Sequence, residues 1–439
     1  MTAEIAIINK NAVALAADSA VTLRDPNNSK IYNTANKLFM LSKFEPVGIM
    51  VFGSAEFMSI PWETIIKIYR AELAAQGFPK LNDYAEHFLR FLETNSRLFH
   101  PERQRAEFRS AISAMFWRIR FEIDEEVKSA IGKSPITDED VAHICENKIK
   151  EYYRNWSAVK HLPQFDDAFE KSLKETYDQD ITTAADTVFE KLPIGNCAEL
   201  LRGLAAFRMS KDYWINSSGL VFAGFGTEDV FPCVKSYVLE FVADNKVRSA
   251  ATPNLSNDMN ESSNASIIPF AQAEIVYRFI QGIDPEYKQE MRKYLRTLLT
   301  TEYPEKLIEK FKASLSEEEQ RNGLAELIKL GRGIAEEFDI QWEGLEGRKY
   351  IGPVLDIVAD LPKDDLAAMA ESLVNLTSFK RRISREAETV GGPIDVAVIS
   401  KGDGFIWIKR KHYFNKDLNP YFFANYYRKE RGRRMRNRT

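Results

Sequence analysis

The chain opens on two short apolar, β-leaning runs, TAEIAII and AVALAA, divided by the turn residues NKN. That pattern predicts a hairpin over residues 2–8 and 12–18. A turn centred on Lys10 sets Thr2 opposite Asp18, close enough across a strand pair for both to serve one site. A slip of one residue puts Ala17 or Ser19 there instead. NKLFMLSK and VGIMVFGS, joined by FEP, predict a second strand pair that brings Lys37 towards Phe52 and Gly53. Further on the period changes from two to that of a helix. Residues 77–178 and 283–362 carry apolar positions at i, i+3, i+4 and i+7, as in YAEHFLRFLETNSRLF and AEFRSAISAMFWRIRFEI. Such aromatic stripes read as core and not as cofactor contacts. ITTAADTVFEKL, residues 181–192, has the same helical period.

Composition narrows the class. The chain has 439 residues, 44% hydrophobic and 28% charged, enough for one large or two ordinary cores. A net charge of -4 predicts no bulk attraction to nucleic acid. Three cysteines and five histidines without an H-x-x-x-H pair make neither a disulfide framework nor a zinc site, so no metal and no cofactor is expected, and a reducing, cytoplasmic setting fits. No apolar run approaches the roughly 20 residues that cross a bilayer, and no basic region precedes the first apolar strand, so neither a membrane partner nor a signal peptide is expected. The sequence contains no internal repeat and no Walker motif. From Lys409 the composition turns basic and aromatic, KRKHYFNKDLNPYFFANYYRKERGRRMRNRT. A solvated or partner-docking tail over 409–439 is the favoured reading, with nucleic-acid binding as the alternative.

The chemistry lies at the predicted sheet end. Removal of Met1, which a small second residue permits, leaves a hydroxyl and an α-amine on Thr2. An α-amine titrates near about 7.7–8, so part of it is neutral at pH 7 and can accept the hydroxyl proton. An ammonium at Lys37 favours that neutral form, and Asp18 holds the lysine charged and in position. The backbone N–H of Gly53 is a candidate oxyanion donor, a contribution of about 3–4 kcal/mol for one such group. An ordinary Asp18–Lys37 ion pair and a strand-end turn at Gly53 are the competing readings.

T-A-E-I-A-I-I, V-A-L-A-A-D-S-A-V-T, A-N-K-L-F-M-L and V-G-I-M-V-F-G-S-A-E, between Thr2 and Glu56, resemble the start of proteasome β-type and bacterial HslV-type subunits, which are N-terminal nucleophile hydrolases. The resemblance implies an α+β fold, an αββα sandwich of about 200 residues here carrying two helical insertions at 77–178 and 283–362. It implies roles for Thr2 as nucleophile, Asp18, Lys37, and Gly53 as oxyanion donor. Val21, Ala35, Val51 and Ala55 match positions lining the pocket for the side chain before the cut. SSGLVFAGFGTEDVFPCVKSYVLEF, residues 217–241, is similar to the family's next strand pair; a phosphate loop at its G-F-G is the weaker reading. N-A-S-I-I-P-F-A-Q-A resembles G-S-G-x-P-F-A and sets Ser266 at the active-site serine, with a helix cap before Ile267 as the alternative. R-E-A-E-T-V-G-G-P-I-D-V-A-V-I resembles R-D-A-x-S-G-G-x-I-D-V-x-V-I; Glu386 then stands for the Asp, Thr389 for the Ser, and Val390 is extra.

The expected activity is a threonine peptidase acting on peptides or unfolded proteins, forming a homo-oligomer, with an ATP-dependent unfoldase as a candidate partner. A non-peptide amidase, or a silent scaffold associated with nucleic acid, are the alternatives.

Overall fold

In the computed structural model the described residues are 3–25, 28–133, 135–383, 391–412, 414–415, 417–421 and 424, with backbone alone for 22–25 and 28–31. The opening pattern folds as expected into a hairpin, β1 (Glu4–Asn9) and β2 (Ala12–Ala17), but one residue out of the predicted register: Glu4 faces Ala17 and Ile5 faces Ala16. The cause is local. The Asn9 carboxamide oxygen accepts from the N–H groups of Asn11 (3.0 Å) and Ala12 (3.2 Å), closing the turn on two residues, Lys10 and Asn11, instead of centring it on Lys10.

Two larger antiparallel sheets carry the fold, which is α+β. The first has the order β13 (Ala265–Pro269), β1, β2, β14 (Asp395–Ser400), β15 (Gly404–Lys409). The second runs β11 (Lys246–Ala251), β10 (Cys233–Ala243), β9 (Ser218–Gly224), β6 (Val47–Gly53), β5 (Leu38–Met40), with β12 (Asn257–Asp258) paired to β10. A two-stranded ribbon, β3 (Val21–Asp25) and β4 (Asn28–Tyr32), follows the first hairpin, and a shorter one, β7 (Glu56–Phe57) and β8 (Ile60–Pro61), follows β6.

Strand parity sorts the apolar side chains into three cores. Ala6, Ile8, Val13 and Leu15 of the first sheet meet Leu38, Met50, Val221 and Ala223 of the second. On the opposite face of the first sheet Ile5, Ile7, Ala14, Ala16, Val396 and Val398 pack under α8 (Ala273–Gln281), α12 (Gly352–Asp360) and α13 (Lys363–Arg382). On the opposite face of the second, Phe39, Ile49, Val51, Leu220, Phe222 and Phe241 share a core with α1 (Trp62–Leu73), α2 (Leu81–Thr94) and α3 (Pro101–Ile131). With both faces covered, β1, β2, β9 and β14 are buried along their whole length, which is why they read as continuous apolar runs.

The long helical stretches differ in kind. Within 77–178, α3 buries Phe108, Ile112, Met115, Phe116, Ile119 and Ile123 on one stripe, and α2 and α3 lie directly on β10. Behind them stand α4 (Asp138–Ser157), α5 (Asp167–Thr176), α6 (Asp178–Val188) and α7 (Ala198–Ser210); α6 is the helix expected over 181–192. Within 283–362, α9 (Pro285–Thr297) buries no side chain. It packs with α11 (Glu317–Glu346) through charged pairs such as Arg292–Asp339 (3.0 Å) and Lys288–Glu346 (2.5 Å), and α10 (Tyr303–Phe311) lies against α11. No described helix is long and apolar enough to cross a membrane.

Candidate active site

The end of β2 meets the start of β1 at a buried charged cluster. Asp18 follows Ala17, its N–H donates to the Ala3 carbonyl (3.0 Å), and its Oδ1 accepts the Ala3 N–H (3.1 Å). The carboxylate thus takes the place of a strand carbonyl opposite the residue that follows Thr2. Oδ2 accepts the N–H of Gly391 (3.0 Å), and the Lys37 ammonium donates to Oδ1. Lys37 Nζ also stands 3.2 Å from Glu4 Oε1. The side chains of Asp18 and Glu4 are 0% exposed and that of Lys37 6%, which removes the reading of an ordinary surface pair. A charge so buried costs several kcal/mol unless it is paired and hydrogen-bonded.

Neighbouring segments hold this corner. Ser19 donates its N–H to the Gly391 carbonyl (3.2 Å) and its hydroxyl to the Pro393 carbonyl, and its own carbonyl accepts the Ala35 N–H (3.1 Å). The Lys37 carbonyl accepts the Val51 N–H (2.8 Å), which fixes Lys37 beside β6. Gly53 lies two residues beyond Val51, about 7 Å along the strand. It has φ +81°, and a Cβ there would sit 2.8 Å from the Ser217 carbonyl oxygen. Only glycine fits that backbone without strain.

The segment behind Gly53 is itself braced by buried charge. Glu240 Oε1 accepts the N–H groups of Ile215 and Asn216, both at 2.9 Å, while its Oε2 accepts from Arg208 (2.6 Å). Arg248, fully buried, donates to the carbonyls of Arg208, Lys211 and Tyr213 at 2.6–2.8 Å. Burial pulls its pKa down to about 10, against the pull of Glu240 in the opposite direction.

Several expected residues lie elsewhere. Ser266 is in β13, opposite Ile8, so it stands about 14 Å along the strands from the Glu4 level. The structure does not bring it to the Asp18–Lys37 corner. Nor does it cap a helix: residues 265–269 are extended, and the next helix starts at Ala273. It is Phe270, whose N–H donates to the Glu4 carbonyl (2.9 Å), that reaches the corner from this segment. Thr2, Glu386 and Thr389 lie outside the described residues. Of the pocket candidates, Ala35 is tied to Ser19, Val21 begins the β3 ribbon, and the Ala55 carbonyl accepts the Trp62 N–H (3.1 Å). Val51 is 3% exposed within the core under α1, so it is no open pocket wall.

The G-F-G segment makes no phosphate loop, because the Gly226 N–H is taken by Asp229 Oδ2 (2.8 Å). Among the described residues, His161, Asp167 and Glu170 bring three metal-ligand types together. Glu170 is already engaged there by His161 Nε2 (2.8 Å) and the Ser210 hydroxyl.

The sequence reading missed Glu4 and Gly391. A carboxylate in an otherwise apolar first strand was the available signal for Glu4; for Gly391 it was the glycine pair before β14. Neither protein-family models nor curated proteins give a match to this chain.

Proposed function

We propose that this chain is an N-terminal nucleophile hydrolase of αββα architecture and acts as a threonine peptidase with Thr2 as nucleophile. The observation that carries the reading is the buried Lys37–Asp18 pair bonded to the N–H of Ala3. By covalent geometry alone the α-amine of residue 2 lies within about 4 Å of that Ala3 nitrogen. The three stacked cores support the architecture, since each sheet is covered on both faces.

In the proposed reaction Thr2 Oγ attacks the peptide carbonyl and passes its proton to its own α-amine. The Lys37 charge favours the neutral amine that must take that proton. The tetrahedral oxyanion is met by the Gly53 N–H, the leaving amine departs with a proton, and water releases the acyl ester. Small apolar peptide amides are the substrates of choice, from the residue types at Val21, Ala35 and Ala55.

The experiment compares mature protein beginning at Thr2 with Thr2→Ala and Thr2→Ser on such amides. Thr2→Ala keeps the α-amine and lacks the attacking oxygen, so hydrolysis should vanish, whereas Thr2→Ser should retain part of it. Equal rates in wild type and Thr2→Ala would reject the assignment.

A further inference from the structure

We propose that Glu240 is a positioning residue for the Gly53 N–H: its carboxylate fixes residues 215–217, and these set the backbone against which Gly53 stands. The catalytic meaning of this brace rests on the reading of Gly53 as oxyanion donor; the brace itself does not.

The strand pattern places Glu240. β10 pairs with β9 from Cys233 opposite Gly224 to Leu239 opposite Ser218, and there the ladder ends. On its other side the register of β10 with β11 shifts between Leu239 and Val242. Leu239, Phe241 and Val242 all enter one core, so strict alternation is broken between them. An irregularity of that kind re-aims a side chain, and Glu240 lies within it. Its Oε1 accepts the N–H groups of Ile215 and Asn216, both at 2.9 Å, and so supplies the acceptor just beyond the end of the ladder. Its Oε2 receives Arg208 of α7 (2.6 Å) and lies 3.4 Å from Arg248 Nε. Arg248 in turn lies 4.3 Å from the centre of the Trp214 ring and donates to the carbonyls of Lys211 and Tyr213. One carboxylate and its arginines therefore hold the whole stretch from Lys211 to Asn216.

That stretch leads straight to the site. Ser218 stands opposite Gly53, and the Ser217 carbonyl oxygen lies 2.8 Å from where a Cβ on Gly53 would be. A displacement of residues 215–217 thus moves the wall beside the positive-φ backbone of Gly53. The competing account gives Glu240 no task but to neutralise two buried arginines. Glu240→Asp separates the two, because it keeps the charge and draws the carboxylate back by one methylene, about 1.5 Å. Glu240→Gln does the reverse: it removes the charge and keeps the length, with a carbonyl oxygen still able to accept from both amides.

The test uses the full chain as wild type, Glu240→Asp, Glu240→Gln and Asp229→Asn, the last a stability control at the far end of the β6–β9 ladder from Gly53. It measures kcat and KM on a small neutral peptide amide, thermal stability, deuterium uptake over residues 211–217, and the Gly53 amide signal of glycine-labelled protein, assigned by its loss in Gly53→Ala. Removing one oxyanion donor costs about 10²–10³ in rate, so a misplaced one in Glu240→Asp should lower kcat about tenfold, with KM nearly unchanged. The same variant should take up deuterium faster at residues 215 and 216 and shift the Gly53 signal. Glu240→Gln should lose more stability than Glu240→Asp but less kcat, and Asp229→Asn should lose stability alone. Loss of kcat in simple step with loss of stability, with the Gly53 signal unmoved, would overturn the proposal. If wild type hydrolyses no amide, the peptidase reading falls by itself; faster uptake and a shifted Gly53 signal in Glu240→Asp would then sustain the brace, and their absence would sink it.

Discussion

Lys37→Met is the sharpest stability test of the buried corner, because methionine keeps most of the stem and removes only the charge. In wild type the ammonium stands between two carboxylates, both 0% exposed, and is itself 6% exposed. Breaking a buried pair on one side typically costs about 3–5 kcal/mol, since the remaining charge is left uncompensated. Two opposing effects set the place within that range. Asp18 keeps the N–H groups of Ala3 and Gly391, which lowers the cost; Glu4 loses the same ammonium, which raises it. The expectation is about 4 kcal/mol, close to a thousandfold in the folding equilibrium. The exposed Lys67–Glu63 pair, 51% and 35% accessible, is the control, and Lys67→Met should cost no more than about 0.5 kcal/mol. Urea unfolding followed by tryptophan fluorescence reads both variants, with unchanged urea dependence required for the comparison. The Lys37→Met/Asp18→Asn double variant should lose less than the two single losses added together. A Lys37→Met loss under 1 kcal/mol, matching the control, would refute the claim that this pair is buried and coupled.

Other positions give independent checks. Gly53→Ala should lower stability by about 1–2 kcal/mol in thermal melts, from its positive φ and the approach of Ser217, and should reduce hydrolysis far more than it lowers the melting temperature. Asn9→Ala removes the acceptor that closes the first turn and strands the Val358 and Leu361 carbonyls, which its amide now meets at 3.0 Å; a loss of about 2 kcal/mol is expected, with faster amide exchange at Asn11 and Ala12. At Asp229 burial raises the pKa, but the N–H groups of Gly226 and Leu81 and the Lys80 ammonium outweigh it and hold the carboxyl below its ordinary range. Its stabilisation is therefore complete above the unfolded value of about 3.9 and is lost as pH falls through the lower folded value, so the advantage of wild type over Asp229→Asn in acid titration should shrink only below about pH 4.

How much of this was legible depends on the range of the signal. Short-range patterns carried far: NKN between apolar runs, FEP between LFM and VGIMVFG, and the helical stripe of Phe108 to Ile123 all fold as their periods demand. Asp18 and Lys37 were reachable because each ends or opens an apolar strand. The register was not, since the Asn9 side chain, and not the count of loop residues, decides where that turn closes. Ser266 failed for a related reason. Its motif ends in Pro-Phe-Ala, and the strand continues through Pro269, so the corner is reached by Phe270 and not by the serine. Gly391 is 373 positions from Asp18. No local pattern encodes such a contact; the adjacency of β2 and β14 does.

The most direct test of the account is the state and reactivity of residue 2. Protein purified from its native host is first weighed intact. It is then treated with an electrophile whose stable adduct needs both a hydroxyl and a free α-amine on one residue, and the adduct is located by fragment mass. The account predicts a chain lacking Met1, one adduct on Thr2, and none on Thr2→Ala. Retained Met1, or a free Thr2 that forms no adduct in folded protein, would contradict it.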